Sequence, residues 1–252
     1  MRKSVRGIIG LLIFLCLWQL ASQLKLIDPT FVPGPVQVAG RIGQLFGQAE
    51  FRVDFVATVL AWLIATLAAA AIAVPLGLLL GRLPLLRSAT SAVVDLLRPI
   101  PSVTLIPLVL TAFGDGAQVK IILATFASIW PILFNVIYGL REVDPLFVDT
   151  ARAFRTSWLR TALAVRLPYV TPFALTGIRM SAAISLVVIV STEFLSNSGI
   201  GFGSFVVING EQSGDIPMVF GGVVVAGILG AAVNSMLQGV QNRWFSWAGK
   251  GA

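Results

Sequence analysis

Apolar residues run along this chain in six long blocks, at about residues 7–24, 55–80, 93–113, 121–140, 172–194 and 219–240. A helix that crosses a bilayer needs roughly 20 mostly apolar residues. The pattern therefore predicts six transmembrane helices. The third block is interrupted by Pro99, Pro101 and Pro107. It is read as a kinked helix, or as a broken one shielded by its neighbours. The first block follows Arg2, Lys3 and Arg6, as a signal peptide would. No small-x-small cleavage pattern follows it, so it is read as a retained helix.

One polar stretch stands apart from the others. Residues 144–168, DPLFVDTARAFRTSWLRTALAVRLP, form an Arg-rich insert between the fourth and fifth blocks. Asp144 can cap a helix whose first residue is Pro145, where the missing N–H costs nothing. Phe147, Ala151, Phe154 and Trp158 follow at i, i+4, i+7 and i+11, one face of a helix. A basic amphipathic helix beside a bilayer can lie on anionic lipid or present a surface to a soluble partner.

Composition fits this picture. Hydrophobic residues make up 57% and charged residues 12% of the 252, against about 25% charged in an ordinary soluble domain. The chain is read as one all-α membrane domain over residues 1–252. The net charge of +7 lies at the ends of apolar blocks and is no nucleic-acid signal. With six spans and an inside N-terminus, thirteen of the 18 basic residues fall on one side, including Arg141, Arg152, Arg155, Arg160 and Arg166. Lys25, Arg41, Arg52 and Lys120 fall on the other. The positive-inside rule makes the first side cytoplasmic, with both termini and the insert there. Gln44 and Ser213 then lie outside.

Absences narrow the chemistry. The chain has no histidine, and its one cysteine, Cys16, excludes an intramolecular disulfide. No carboxylate lies in the middle of a block, where a proton-coupled carrier usually needs one. No phosphate-binding glycine-rich loop, metal cluster or Ser-His pair occurs. The chain carries no catalytic set and no energy source of its own. A channel would need neither. A transport subunit driven by a separate ATPase would need a docking element.

The insert resembles the E-A-A-x3-G-x9-I-x-L-P signature of the inner-membrane permease subunits of bacterial ABC importers. Asp149 stands at the Glu position, Thr150 and Ala151 at the alanines, Arg155 at the glycine, Val165 at the isoleucine, and Leu167-Pro168 closes the pattern. Three further anchors resemble the sulfonate, nitrate and taurine branch. They are Pro33-Gly34-Pro35, the run from Leu97-Arg98-Pro99 to Pro107, and Thr192-Glu193-Phe194 with Asn197-Ser198-Gly199-Ile200-Gly201. The resemblance implies a coupling helix seated on an ABC ATPase subunit. Phe147, Ala151, Phe154 and Trp158 would be contacts, and Asp149 would pair with a basic group. It implies ATP and Mg on that ATPase with no cofactor in this chain, an extracytoplasmic solute-binding protein, and a permease homodimer set in membrane lipid.

Arg155 is the main departure, because a residue with a Cβ resists the positive φ that glycine supplies. Thr156 and Ser157 are the alternative place for the turn, with a second short helix over about 158–167. Arg155 itself is expected to hold an ATPase carboxylate or the exposed carbonyls of the first helix. For the solute pathway, Gly177, Ser181, Ser185, Val188 and Thr192 share a narrow face of the fifth block. That face reads as close helix packing or as a translocation lining. Asn135 and Arg179 are polar groups inside blocks that need partners. The alternative functions are a self-sufficient channel, a secondary carrier, or a membrane scaffold.

Overall fold

The computed structural model describes residues 2–26, 28, 30–83, 96–97, 99–114, 116–195, 200–211 and 213–244. Among these every regular element is helical. The helices are α1 (Arg2–Gln23), α2 (Pro35–Gly47), α3 (Ala49–Arg82), α4 (Ile106–Phe113), α5 (Ala117–Arg141), α6 (Pro145–Ala153), α7 (Trp158–Thr161), α8 (Leu167–Leu195), α9 (Phe202–Val206) and α10 (Ile216–Trp244). Five stretches are long and apolar enough to cross a membrane: Val5–Gln23, Ala49–Gly81, Ala117–Arg141, Ala162–Leu195 and Ile216–Arg243.

The third apolar block does not form a sixth such helix among the described residues. It contributes a 3-10 turn, Ser102–Leu105, and the eight-residue α4, together one short apolar stretch, Ser102–Phe113. Proline is the physical reason. Pro99 and Pro101 each lack a donor and disfavour helix at the preceding residue. Pro107 is tolerated because it sits in the first turn of α4, where its N–H would be unbonded anyway. Residues 84–95 and Arg98, also part of that expectation or beside it, lie outside the described residues.

The chain divides into two compact units. The larger, residues 59–192 and 230–252, is built on a stripe of small residues. Ala61, Ala65, Ala69, Ala73, Gly77 and Gly81 recur every fourth position along α3, and the four alanines are buried. Small side chains let helix backbones approach closely in a setting where lipid supplies no hydrophobic drive. The approach is tight enough to require glycine at Gly77, and at Gly81 a side chain would have to displace the end of Leu140. A Cβ at Gly77 would stand 2.8 Å from Val136 Cβ, and one at Gly81 2.5 Å from Leu140 Cδ1. Ile132, Leu133, Val136 and Ile137 of α5 complete this core with Val170 and Ala174 of α8. A second cluster places Ile106 of α4 with Ala61, Ala65, Leu123 and Ile189.

The α5–α8 seam is equally close. A Cβ at Gly177 would come within 2.8 Å of Ile132 Cα. Four residues on, Ser181 Oγ donates to the Ser128 carbonyl at 2.5 Å, and Ser128 Oγ donates to the Ser181 carbonyl at 3.2 Å. This reciprocal pair satisfies two buried hydroxyls across the seam. Trp62 of α3 donates its indole N–H to the Ala182 carbonyl at 2.8 Å.

The smaller unit, residues 1–58 and 193–229, has an aromatic core. Phe51 and Phe202 are fully buried and meet Phe46, Phe55 and Phe205. Ring contacts of this kind add about 0.5–1.5 kcal/mol each beyond area burial. Pro35 begins α2 after Gly34, the N-terminal position that proline favours. Arg41 of α2 makes an ion pair with Asp215. Between α1 and α2, the Thr30 N–H bonds Asp28 at 2.9 Å and holds that carboxyl below its ordinary range.

Candidate functional site

The insert begins as the sequence predicts. Asp144 caps α6, its carboxylate accepting the Leu146 N–H at 2.9 Å, and Pro145 is the first helical residue. The helix ends in a Schellman arrangement. The Thr156 N–H reaches the Ala151 carbonyl at 3.0 Å and the Arg155 N–H reaches the Arg152 carbonyl at 2.8 Å. The residue between helix and exit must then be left-handed. That residue is Arg155, at φ 52°. The turn falls at the signature's glycine position and not at Thr156-Ser157. The two hydrogen bonds hold the backbone there although Arg carries a Cβ, a conformation that costs about 1–2 kcal/mol.

Past the turn, the Thr161 N–H bonds the Ser157 carbonyl at 3.0 Å and opens α7 at Trp158. The second helix does not stop near Leu167. A π-turn, Ala162–Arg166, joins α7 to α8 and leaves one continuous helical run. Pro168 explains the widened turn, since its ring opposes the carbonyl one regular turn behind it.

The predicted contact residues sit mainly on the outside of this element. Phe147 is 53% exposed and Phe154 is 80% exposed. Asp149 and Arg155 are exposed, and Ala151 is half-buried. The Trp158 side chain lies outside the described residues. Asp149 accepts a hydrogen bond from Arg152 at 3.2 Å, one turn along. Both groups are mostly in solvent, so the pair stabilises the helix by less than about 1 kcal/mol.

The pathway candidates are distributed differently. Ser181, Ser185 and Thr192 are buried. Ser181 bonds α5 as described, and Thr192 donates to the Val188 carbonyl of its own helix at 2.7 Å. Ser185 Oγ has no hydrogen-bond partner among the described residues. Asn135 is half-buried and donates to the Pro131 carbonyl at 2.8 Å. Arg179, also half-buried, donates from Nε to Asn234 Oδ1 of α10 at 2.9 Å.

Sequence reasoning placed Glu193 in a motif without seeing what it does. Its carboxylate is fully buried. Thr58 Oγ1 lies 2.9 and 3.0 Å from its two oxygens, and the Gly203 N–H donates to it at 3.0 Å. The Phe202 N–H donates to Thr58 Oγ1 at 3.1 Å, and the Gly201 N–H donates to Asp54 at 3.1 Å. Gly201 has φ 114°, and a Cβ there would collide with the Glu193 carboxylate. The clamp fixes the chain entering α9. Thr58 lies 135 positions from Glu193, so no local pattern could have paired them.

Comparison with known proteins agrees with this layout. Residues 73–245 match the family described as the binding-protein-dependent transport system inner membrane component. The taurine transport system permease protein TauC of Escherichia coli is 26% identical over 99% of this chain and 92% of its own length. The nitrate import permease protein NrtB of Leptolyngbya laminosa is 27% identical over 96% of this chain and 88% of its own. Among solved structures, an inward-facing form of the MetNI methionine ABC transporter shares the fold. It has a TM-score of 0.63 and 19% identity, over 74% of this chain and 92% of that one. The small-residue seams, the capped helical insert and these matches converge: the chain belongs to the family of binding-protein-dependent inner-membrane permease components of ABC transporters.

Proposed function

We propose that this permease works as a homodimer in a bacterial cytoplasmic membrane, with six spans per chain and both termini inside. It couples through α6 to two ABC ATPase subunits, which bind ATP and Mg. The observation that carries this reading is the capped insert helix with Phe147 and Phe154 turned outward. Phe154 forgoes most of the about 1.5–3 kcal/mol that full burial of a phenylalanine yields, and half-exposed Phe147 roughly half of it. A docking groove recovers it. Asp149 then meets a basic group of the ATPase, and Arg155 meets a carboxylate or the last carbonyls of α6. ATP-driven closure of the ATPases moves the insert, and the spans alternate between inward-open and outward-open arrangements.

The solute arrives from an extracytoplasmic binding protein. The names of the relatives favour a small anion of the taurine, sulfonate or nitrate type, with a vitamin precursor such as a hydroxymethylpyrimidine as the second choice. Arg179 and Asn135 are the polar groups proposed for its path, and Ser181, Ser185 and Thr192 line it in states where the α5–α8 seam opens. Affinity purification of the tagged permease tests the assembly. A stoichiometric ATPase is expected, and its absence would favour the channel or carrier reading. Single-cysteine labelling in a Cys16→Ala background tests orientation. Position 158 is expected to be protected in intact cells, and positions 44 and 213 labelled.

A further inference from the structure

Two cavities meet beneath the insert. One, about 300 Å³, is lined by Gly81, Val143, Val148, Asp149, Arg152 and Arg166 among others. The second, about 370 Å³, is almost wholly apolar, with Pro75, Leu78, Leu79, Leu163 and Leu167 in its wall. Leu140 and Arg166 line both. Their order along the membrane is set by the spans. Gly81 and Leu140 lie at one end of the candidate spans Ala49–Gly81 and Ala117–Arg141. Pro75 to Leu79 lie up to two turns inside that end. A charged cavity therefore sits at the membrane edge, and an apolar one opens directly inward from it.

We infer that these joined cavities form a seat for one anionic phospholipid. Its phosphodiester lies against Arg166 and Arg152, and an acyl chain runs along Leu79 and Leu163. The charges support this choice. Asp149 is hydrogen-bonded to Arg152 and offsets it. Arg166 has no acidic partner among the described residues, so the cavity is left with a net positive wall. The π-turn at Ala162–Arg166 contributes as well, because it carries Leu163, in the wall of the apolar cavity, and Arg166, in the walls of both. A free phosphate would satisfy the cation but leave the apolar cavity empty. A zwitterionic lipid would fill the groove and offer the same phosphodiester, but would bring a choline cation against the positive wall of Arg166 and Arg152. The lipid would brace the underside of α6, leaving its Phe147 and Phe154 side for a protein partner.

The test is native mass spectrometry of the full-length chain loaded with dioleoyl phosphatidylglycerol or dioleoyl phosphatidylcholine. One tightly retained phosphatidylglycerol per chain is expected, in preference to phosphatidylcholine. Arg166→Gln should lower its retention roughly fivefold, as expected for removing one cation from an anionic lipid contact. Arg166→Lys should keep most of it, which controls for misfolding. Leu163→Trp, which fills the groove, should lower retention of both lipids. Equal retention of the two lipids by the wild type would overturn the inference. So would unchanged retention in Arg166→Gln, or displacement of the lipid by millimolar inorganic phosphate. Repeating the measurement with the ATPase bound should leave the lipid in place; its expulsion would assign the cavity to the protein partner instead. The lipid readout does not depend on ATPase docking, so it can fail while the proposed transport assembly stands, and the reverse.

Discussion

Two of the positive-φ turns in this molecule, at Gly201 and Arg155, are built very differently. Gly201, at φ 114°, leads into α9 under the Glu193 carboxylate, where a side chain has no space. Arg155, at φ 52°, leaves α6 with its side chain in solvent. The first turn is enclosed by buried hydrogen bonds to Glu193, Thr58 and Asp54. Among the described residues, the second is held by two helix-end carbonyls. The difference teaches where each region's energy lies. The Glu193 clamp is completed within the chain, and its polar groups are satisfied there. The insert leaves Leu146, Phe147 and Phe154 exposed, while Val148 and Ala151 are half-buried. A polar group buried and bonded is architecture; the apolar groups exposed on the capped helix are what the docking proposal rests on.

The strongest way to break this comparison is at the clamp. Gly201→Ala adds both a forbidden φ and a collision. Glu193→Ala leaves the Gly203 N–H without its acceptor and leaves the Thr58 hydroxyl only the Asp54 carbonyl, 3.1 Å away. Each is expected to cost about 2–4 kcal/mol, seen as a large fall in thermal midpoint of the purified permease in detergent. A midpoint unchanged in both variants would show that the clamp is dispensable.

At the insert, stability and partnership should separate. Asp149→Lys reverses the charge that the proposed docking relies on while leaving an exposed helix position that lysine suits. The expected outcome is at least about tenfold weaker ATPase association, on the scale measured for close interfacial charge pairs, with membrane insertion intact. Equal co-purification would remove Asp149 from docking. Phe154→Ala should also weaken association, with a thermal midpoint close to the wild type because that ring is mostly exposed.

The smallest effect is also the most discriminating. Arg155→Gly relieves a left-handed turn and should stabilise the isolated permease by about 1 kcal/mol. If the guanidinium also holds a partner carboxylate, ATP-driven uptake falls in the same variant, and Arg155→Lys stays partly active. A rise in stability together with full uptake would reduce Arg155 to a tolerated substitution at a turn.

The sequence carried more of the helices than of the seams. Capping residues located the start of α6 to the residue, because Asp144 and Pro145 act locally; the aromatic stripe ran past its end, with Phe154 at the C-cap and Trp158 in α7. The long spans were legible for the same reason: their length and apolarity are properties of contiguous residues. The third block was legible only in part, since its prolines forbid a regular helix without saying which fragments survive. The small-residue stripe from Ala61 to Gly81 was present in the sequence but is easily lost in an alanine-rich run. Its meaning depends on Val136 and Leu140 arriving opposite it.

What the sequence determined by itself was therefore the class of molecule, five of the six expected spans and the start of the exposed insert helix, all set by hydropathy and short-range spacing. Only the tertiary structure decided that Arg155 and not Thr156-Ser157 makes the turn, because the two Schellman hydrogen bonds compensate the backbone strain. Only it decided that Ser181 bonds across a helix seam and that Glu193 is locked to Thr58. Those roles arise from groups many tens of residues apart, brought together by close packing of helices that no local pattern encodes.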